Sequence, residues 1–259
     1  MKKILILMLF AFVGTAASAQ KEISAKTIFE AIDKGQAVDY QDAIIVGDLD
    51  LTELSNKKRI KNKGNYEEYK SYVEVPISFK NCSFKGDVIA YKNLEEEKSR
   101  KIGNGNINWN IGDGTTYSTD FEKAVVFENC SFGGKTEFKY SDFAERTSFG
   151  GAKFSKDANF KYADFKQEVI FAKSDFDDYA NFKYTSFKQD ADFFDVRFKN
   201  YADFKYADFS ERVTFKSTAF SNQADFKYAE FRDDANFDNT KFKSGVDMKY
   251  SNGKKYVNK

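Results

Sequence analysis

A chain of 259 residues with 41 Lys and Arg against 40 Asp and Glu has a formal charge of +1, which excludes a strongly basic nucleic-acid binder and a strongly acidic nucleic-acid mimic. It contains no His, so Ser-His-Asp and Cys-His nucleophiles and His-ligated metal sites are excluded as well. What it has in excess is aromatic: 29 Phe and 15 Tyr beside a single Pro and two Cys.

The chain opens with Lys2 and Lys3, an apolar run from Ile4 to Val13, and small residues ending Ala17-Ser18-Ala19. This is the pattern of a cleavable secretory signal over residues 1–19, with cleavage expected after Ala19 and a periplasmic or secreted product. The run is too short to span a bilayer, and no membrane span is expected later in the chain. Residues 20–43 read as an N-terminal cap. Within it Ser24 is an N-cap, Ile28, Phe29 and Ile32 form one stripe, and Gly35 is the stop of a short helix. From Ile44 the sequence turns strand-like, with Leu49 and Leu54 five apart, and residues 44–250 are expected to form one repeat body.

From Phe121 onward Phe recurs in alternating steps of six and five: 127, 132, 138, 143, 149, 154, 160 and on to 242, with Met248 closing the series. Neither 3.6 nor 2 generates this spacing. Two residues before each station stands a small or β-branched residue, such as Ala158 before Phe160. The intervening Asp or Asn faces the other way if the backbone is extended. A second signal fixes the length of a lap. Phe-Lys-Tyr occurs at 138–140, 160–162, 182–184, 204–206 and 226–228, always at the same interval of 22, and stations 11 away lack the Tyr. One lap is therefore one such interval, with four inward stations. We label the faces A to D, with Phe127 on A, Phe132 on B, Phe138 on C and Phe143 on D.

The motif Ala-(Asp/Asn)-Phe-x-x resembles the pentapeptide-repeat proteins, in a variant whose spacing alternates five and six and which uses Phe where Leu is more usual. The resemblance implies an all-β solenoid, a right-handed quadrilateral parallel β-helix with the Phe and the preceding small residue inward. Relatives that protect topoisomerases by imitating DNA are acidic and intracellular, and the leader and neutral charge oppose that role here. In such a rod each lap buries its aromatics against the next, so Phe182→Ala is expected to cost about 3–5 kcal/mol in a denaturant titration.

Counting backward puts Val73 and Phe121 on face D and Leu49 and Leu54 on A and B of the first lap. Residues 56–72 and 91–119 are then insertions that leave the rod near face C and pack on each other. The first holds the basic cluster Lys57, Lys58, Arg59, Lys61 and Lys63, most simply a solvated loop. The second holds the only tryptophan, Trp109, as a candidate contact of this lobe. The same register stacks Cys82 and Cys130 at one inward station, where export makes a disulfide the expectation. Beyond the repeats lies a polar tail, 251–259, leaving the last lap around Phe242 and Met248 for an end-to-end homodimer or for the tail itself.

Outward on face C run two columns, Lys139, Lys161, Lys183, Lys205 and Lys227, and Tyr140, Tyr162, Tyr184, Tyr206 and Tyr228, beside a column of Glu, Asn and Asp. Tyr rings stacking on sugars and Lys meeting anionic groups would make a polysaccharide-binding module. The same columns also follow from duplication of one lap. The leading expectation is an exported, non-enzymatic structural or interaction scaffold, whose partner is a protein or an extracellular polymer and not nucleic acid. No catalytic residue, metal ligand or cofactor is assigned.

Overall fold

The structure, a computed structural model, describes residues 20–63, 66–95 and 114–257. The signal-like segment and Trp109 lie outside the described residues. The chain winds into a four-sided parallel β-helix whose faces are sheets of nine, nine, eight and eight strands. Repeat strands are mostly two residues long and pair in parallel with the corresponding strand of the next lap, as Ala158↔Ala180 and Asn159↔Asn181 on face C. The stations Phe121 to Phe231 are inward and fully or almost fully buried. Like rings lie over like: Phe138 on Phe160 at 5.5 Å, Phe160 on Phe182 at 5.1 Å and Phe182 on Phe204 at 4.8 Å, all near-parallel. Rings on opposite faces meet edge-on across the interior, as Phe160 on face C and Phe171 on face A do at 80°. Alternating parallel and edge contacts fill the interior in both directions.

The two kinds of corner differ in backbone. At the five-residue corners, A to B and C to D, the residue after the station is followed by one in the left-handed region, and the chain closes with an i to i+3 bond such as Ala163 N to Phe160 O, 3.0 Å. The A-to-B corner fills that position with Asp42, Asn81, Asn129, Gly151, Lys173, Asp195, Ser217 and Asn239. The C-to-D corner fills it with Tyr140, Tyr162, Tyr184, Tyr206, Tyr228 and Tyr250, at φ between 57° and 62°. The six-residue corners carry no such left-handed residue except Gly47 and Gly245 at the first and last B-to-C corners.

The N-terminal end follows its capping signals. Helix α1, Ala25–Asp33, begins where the Ser24 hydroxyl accepts from Lys26 N at 3.2 Å and stops at Gly35, φ +71°. Ile28 and Ile32 are buried beneath it. The register of the first lap corrects the sequence reading. Val38–Gln41 is its face A strand, with Tyr40 opposite Phe79, and Ala43–Val46 its face B strand, with Ile45 opposite Phe84. Leu49 pairs with Val88 on face C, so Leu49 and Leu54 are not the A and B stations. Lys21–Ser24 adds one more strand to face B, so the ladder reaches upstream of residue 44. Aliphatic and Tyr stations stand here in place of Phe, which hid the phase.

At the other end the tail lies across the rod. Helix α2, Lys254–Val257, sets Tyr256 against the edge of Phe231, with its hydroxyl donating to Asp233 O at 3.0 Å. The repeat continues in phase as Ser251-Asn252-Gly253, with Gly where a Phe would stand. Asn252 accepts from Phe231 N at 2.9 Å and donates to Phe231 O at 2.9 Å, so one amide closes the last face D strand as a further peptide would.

Candidate functional site

Two adjoining surfaces are candidates, one that departs from the repeat and one that recurs at every lap. The first is a fin that extends face D past the C/D corner. Its strands are β1 (Lys58–Lys63), β2 (Tyr66–Val73), β3 (Tyr91–Asn93) and β4 (Gly114–Phe121). β1 and β2 form an antiparallel hairpin, β2 and β4 run parallel from Tyr66 opposite Gly114 to Val73 opposite Phe121, and β3 pairs antiparallel with β4. The two insertions thus pack on each other as expected, with Val73 and Phe121 on face D. Thr119 Oγ1 donates to Leu51 O at 3.0 Å and Ser71 Oγ to Thr52 O at 2.9 Å, rooting the fin in the core.

From Lys58 onward the basic cluster is a strand and not a loop: it forms β1, the last strand of its sheet. A bulge between Arg59 and Lys61 shifts the alternation, placing Lys58 over the Tyr72 ring and Lys61 over the Tyr66 ring, at 5.5 and 5.3 Å. Tyr66 shares a hydrogen bond with Thr116 at 3.1 Å, and Lys70 pairs with Asp120 at 2.9 Å. Desolvation holds the Asp120 carboxyl above its ordinary range despite that lysine. Another contact set stacks Tyr69 on Tyr117 at 5.3 Å beneath Lys57, with Arg59 on Glu67 at 3.2 Å. The Tyr69 phenol is raised because it donates to the Glu67 carboxylate.

The second surface is the Lys/Tyr strip, which the structure assembles as columns. Tyr140, Tyr162, Tyr184, Tyr206 and Tyr228 stack in parallel at 4.6–4.8 Å, and Tyr91 of the fin meets Tyr140 at 5.7 Å. The ring faces are turned on one another, leaving no room for a sugar ring between them and showing solvent mainly edges. The lysines are engaged too. Lys139 donates to Tyr91 Oη at 3.0 Å, and Lys161 and Lys183 lie over the Tyr162 and Tyr184 rings at 5.0 and 5.2 Å. Lys205 bridges Asp203 and Asp225 at 3.2 and 3.5 Å, and Lys227 reaches Asp247 at 3.3 Å. Asp203 and Asp225, 3% and 2% exposed, also accept from Tyr179 and Tyr201. Burial and then Asp203 push the Tyr179 phenol far up.

Cys82 and Cys130 share the inward face B station one lap apart, as the register requires, but the structure holds them as free, buried thiols in place of the expected disulfide. Cys82 Sγ turns to Lys80 O at 3.3 Å, and Cys130 Sγ to Phe79 O at 3.4 Å. Thr218 does the same lower in the column, its hydroxyl donating to Phe193 O. Each thiol fills the place of a small hydroxyl donor, which turns it toward a carbonyl and not toward its twin.

On the rod, charges are mostly cancelled from lap to lap: Arg146 with Glu168 at 2.7 Å, Lys166 with Asp142 at 3.0 Å, Arg212 with Asp190 at 2.6 Å and Arg232 with Asp208 at 2.7 Å. Such exposed pairs are screened by solvent and add little stability, so their main effect is a surface of little net field.

A family model described as pentapeptide repeats, in nine copies, matches residues 117–164, 146–186 and 204–252. No match was found among curated proteins or among solved structures. The matched stretches are those in which the short parallel strands and stacked Phe rings recur at every lap, and the chain belongs to the pentapeptide-repeat family.

Proposed function

We propose that this protein is an exported, non-enzymatic scaffold that offers its fin to a protein partner, the rod serving as a rigid mount. The observation that carries this reading is the contrast between the two parts. The rod surface repeats and neutralises itself, whereas the fin is unique, irregular and rooted in the core. Irregular structure held on a rigid frame is where binding residues concentrate. Pentapeptide repeats support a structural or interaction role, and many charged side chains on the rod faces pair with a neighbouring lap. Export rests on Lys2, Lys3, the apolar run to Val13 and Ala17-Ser18-Ala19, and implies the periplasm or the exterior.

A photo-crosslinking residue placed at Ile60 on the fin, and separately at Lys216 on face A, tests the reading in cells of the source. The expected outcome is a discrete protein adduct from Ile60 and none from Lys216. Equal adducts at both positions, or none at Ile60, would overturn it. The leader is checked by N-terminal sequencing of the mature chain, which is expected to begin at Gln20.

A further inference from the structure

The strand β1 ends its sheet, and among the described residues no strand pairs with its outer edge. The segment 56–73 carries six Lys and Arg against two Glu, so it holds more positive charge than the whole chain, which stands at +1. Arg59 is paired with Glu67, but Lys58 and Lys61 have Tyr rings as their partners and, among the described residues, no carboxylate within 4.0 Å, Lys61 standing opposite Glu68 in register. Between them Ile60 stands 46% exposed, one of few large aliphatic side chains so placed. An open edge supplies backbone donors and acceptors, the lysines supply charge and the isoleucine supplies an apolar contact.

We infer that β1 receives an extended acidic polypeptide segment as an added strand of the fin; this rests on the fin being the partner surface. A polypeptide is the polyanion that fits, because only another backbone satisfies a row of edge N–H and C=O groups. Basic residues on an edge are also the usual guard against pairing of identical chains. The guard and the site are one device: two copies of β1 would set like charges opposite each other, while a strand of alternating Glu and apolar residues meets complementary charge and Ile60.

The test uses the purified full chain and a labelled ten-residue peptide of alternating Glu and Val, followed by fluorescence anisotropy and amide hydrogen exchange. The expected result is saturable binding that weakens with salt and slows exchange within Lys58–Lys63. Lys58→Glu with Lys61→Glu should weaken it roughly tenfold, while Lys216→Glu leaves it unchanged. Circular dichroism checks the fold of the double variant, and Lys61→Gln alone should move affinity in the same direction. An analogue N-methylated at alternate amides keeps the charge and loses the strand bonds, so it should bind at least tenfold more weakly. Equal binding of the analogue, slowed exchange elsewhere than β1, or no binding overturns the inference. If the peptide fails while the Ile60 crosslink still captures a partner, strand addition falls and the scaffold reading stands; if both fail, both fall.

Discussion

At the scale of single residues, the tyrosines of the C/D corner combine a cost with a gain. A left-handed backbone costs a residue with a Cβ about 1–2 kcal/mol, and the equivalent A/B corner mostly avoids this with Gly, Asn and Asp. Tyr184 offsets the cost through two parallel ring contacts, at 4.8 Å to Tyr162 and 4.7 Å to Tyr206, each worth about 0.5–1.5 kcal/mol. Tyr184→Asn should therefore lower stability by roughly 1 kcal/mol. Tyr250, with one stacked neighbour and 66% exposure, should tolerate Asn neutrally or with a gain. Urea midpoints of the two variants decide it, and a more stable Tyr184→Asn would show that strain outweighs stacking. The ring direction was open to deduction from sequence. Identical rings repeated at a strand spacing have little choice but to lie on one another, and it was the columns, not the planes, that were read.

The thiols give a second residue-scale prediction. Burial pushes the Cys130 thiol from 9.0 up to about 12 and raises Cys82 as well. The folded chain keeps protons that the unfolded chain releases above about 9, so this contribution is complete below pH 9 and lost as pH climbs toward 12. Tyr140, Tyr179 and Tyr201, also raised by burial, act in the same direction. Stability should fall as the pH is taken from 9 toward 12, and a flat profile would contradict the burial. Thiol reagent should find neither Cys in the native protein and both after unfolding without reductant; a chain with no thiol after unfolding would restore the disulfide.

At the scale of elements, α1 was legible because its stop and start signals are local: Ser24, the stripe of Ile28 and Ile32, and Gly35. The C-terminal lid was not, because its signal is a substitution inside the repeat. Gly253 lies where a Phe would stand, and a Cβ on it would come 2.4 Å from the Phe231 ring. Gly253→Ala should lift α2 and speed exchange at Phe231 and Tyr256, leaving amides around Phe160 unchanged. Protection retained at Tyr256 would mean that the ring yields instead. The fin was half legible. Backward counting from Phe121 placed Val73, but β1 looked like a loop because Lys and Asn do not advertise a strand and its pairing partners lie outside the repeat phase. Tyr66 and Tyr91 were missed for the same reason.

At the scale of the molecule, a lap is an interchangeable part, since each contacts only its neighbours. Removal of residues 161–182 joins Phe160 to Lys183 in phase and should yield the same rod one lap shorter, with an unchanged circular dichroism band shape and one cooperative transition. Removal of residues 161–171 keeps the five-and-six alternation but carries all later tyrosines to the opposite corner. It should leave a β-helix whose near-ultraviolet tyrosine signal is weakened. An unfolded product of the whole-lap deletion would refute the modular picture. The rod was legible because periodicity averages over many stations. The first lap was not, because Tyr40, Ile45 and the close-set Leu49, Leu51 and Leu54 offer more than one phase.

A surface that repeats at every lap gives a visiting molecule many equal berths and no reason to settle in one. The fin occurs once, at a fixed distance from both ends, and so supplies the zero mark on an otherwise unnumbered ruler. Whatever docks there is held at a defined height along the rod, and anything that also touches the repeating sides is brought into a single alignment by it.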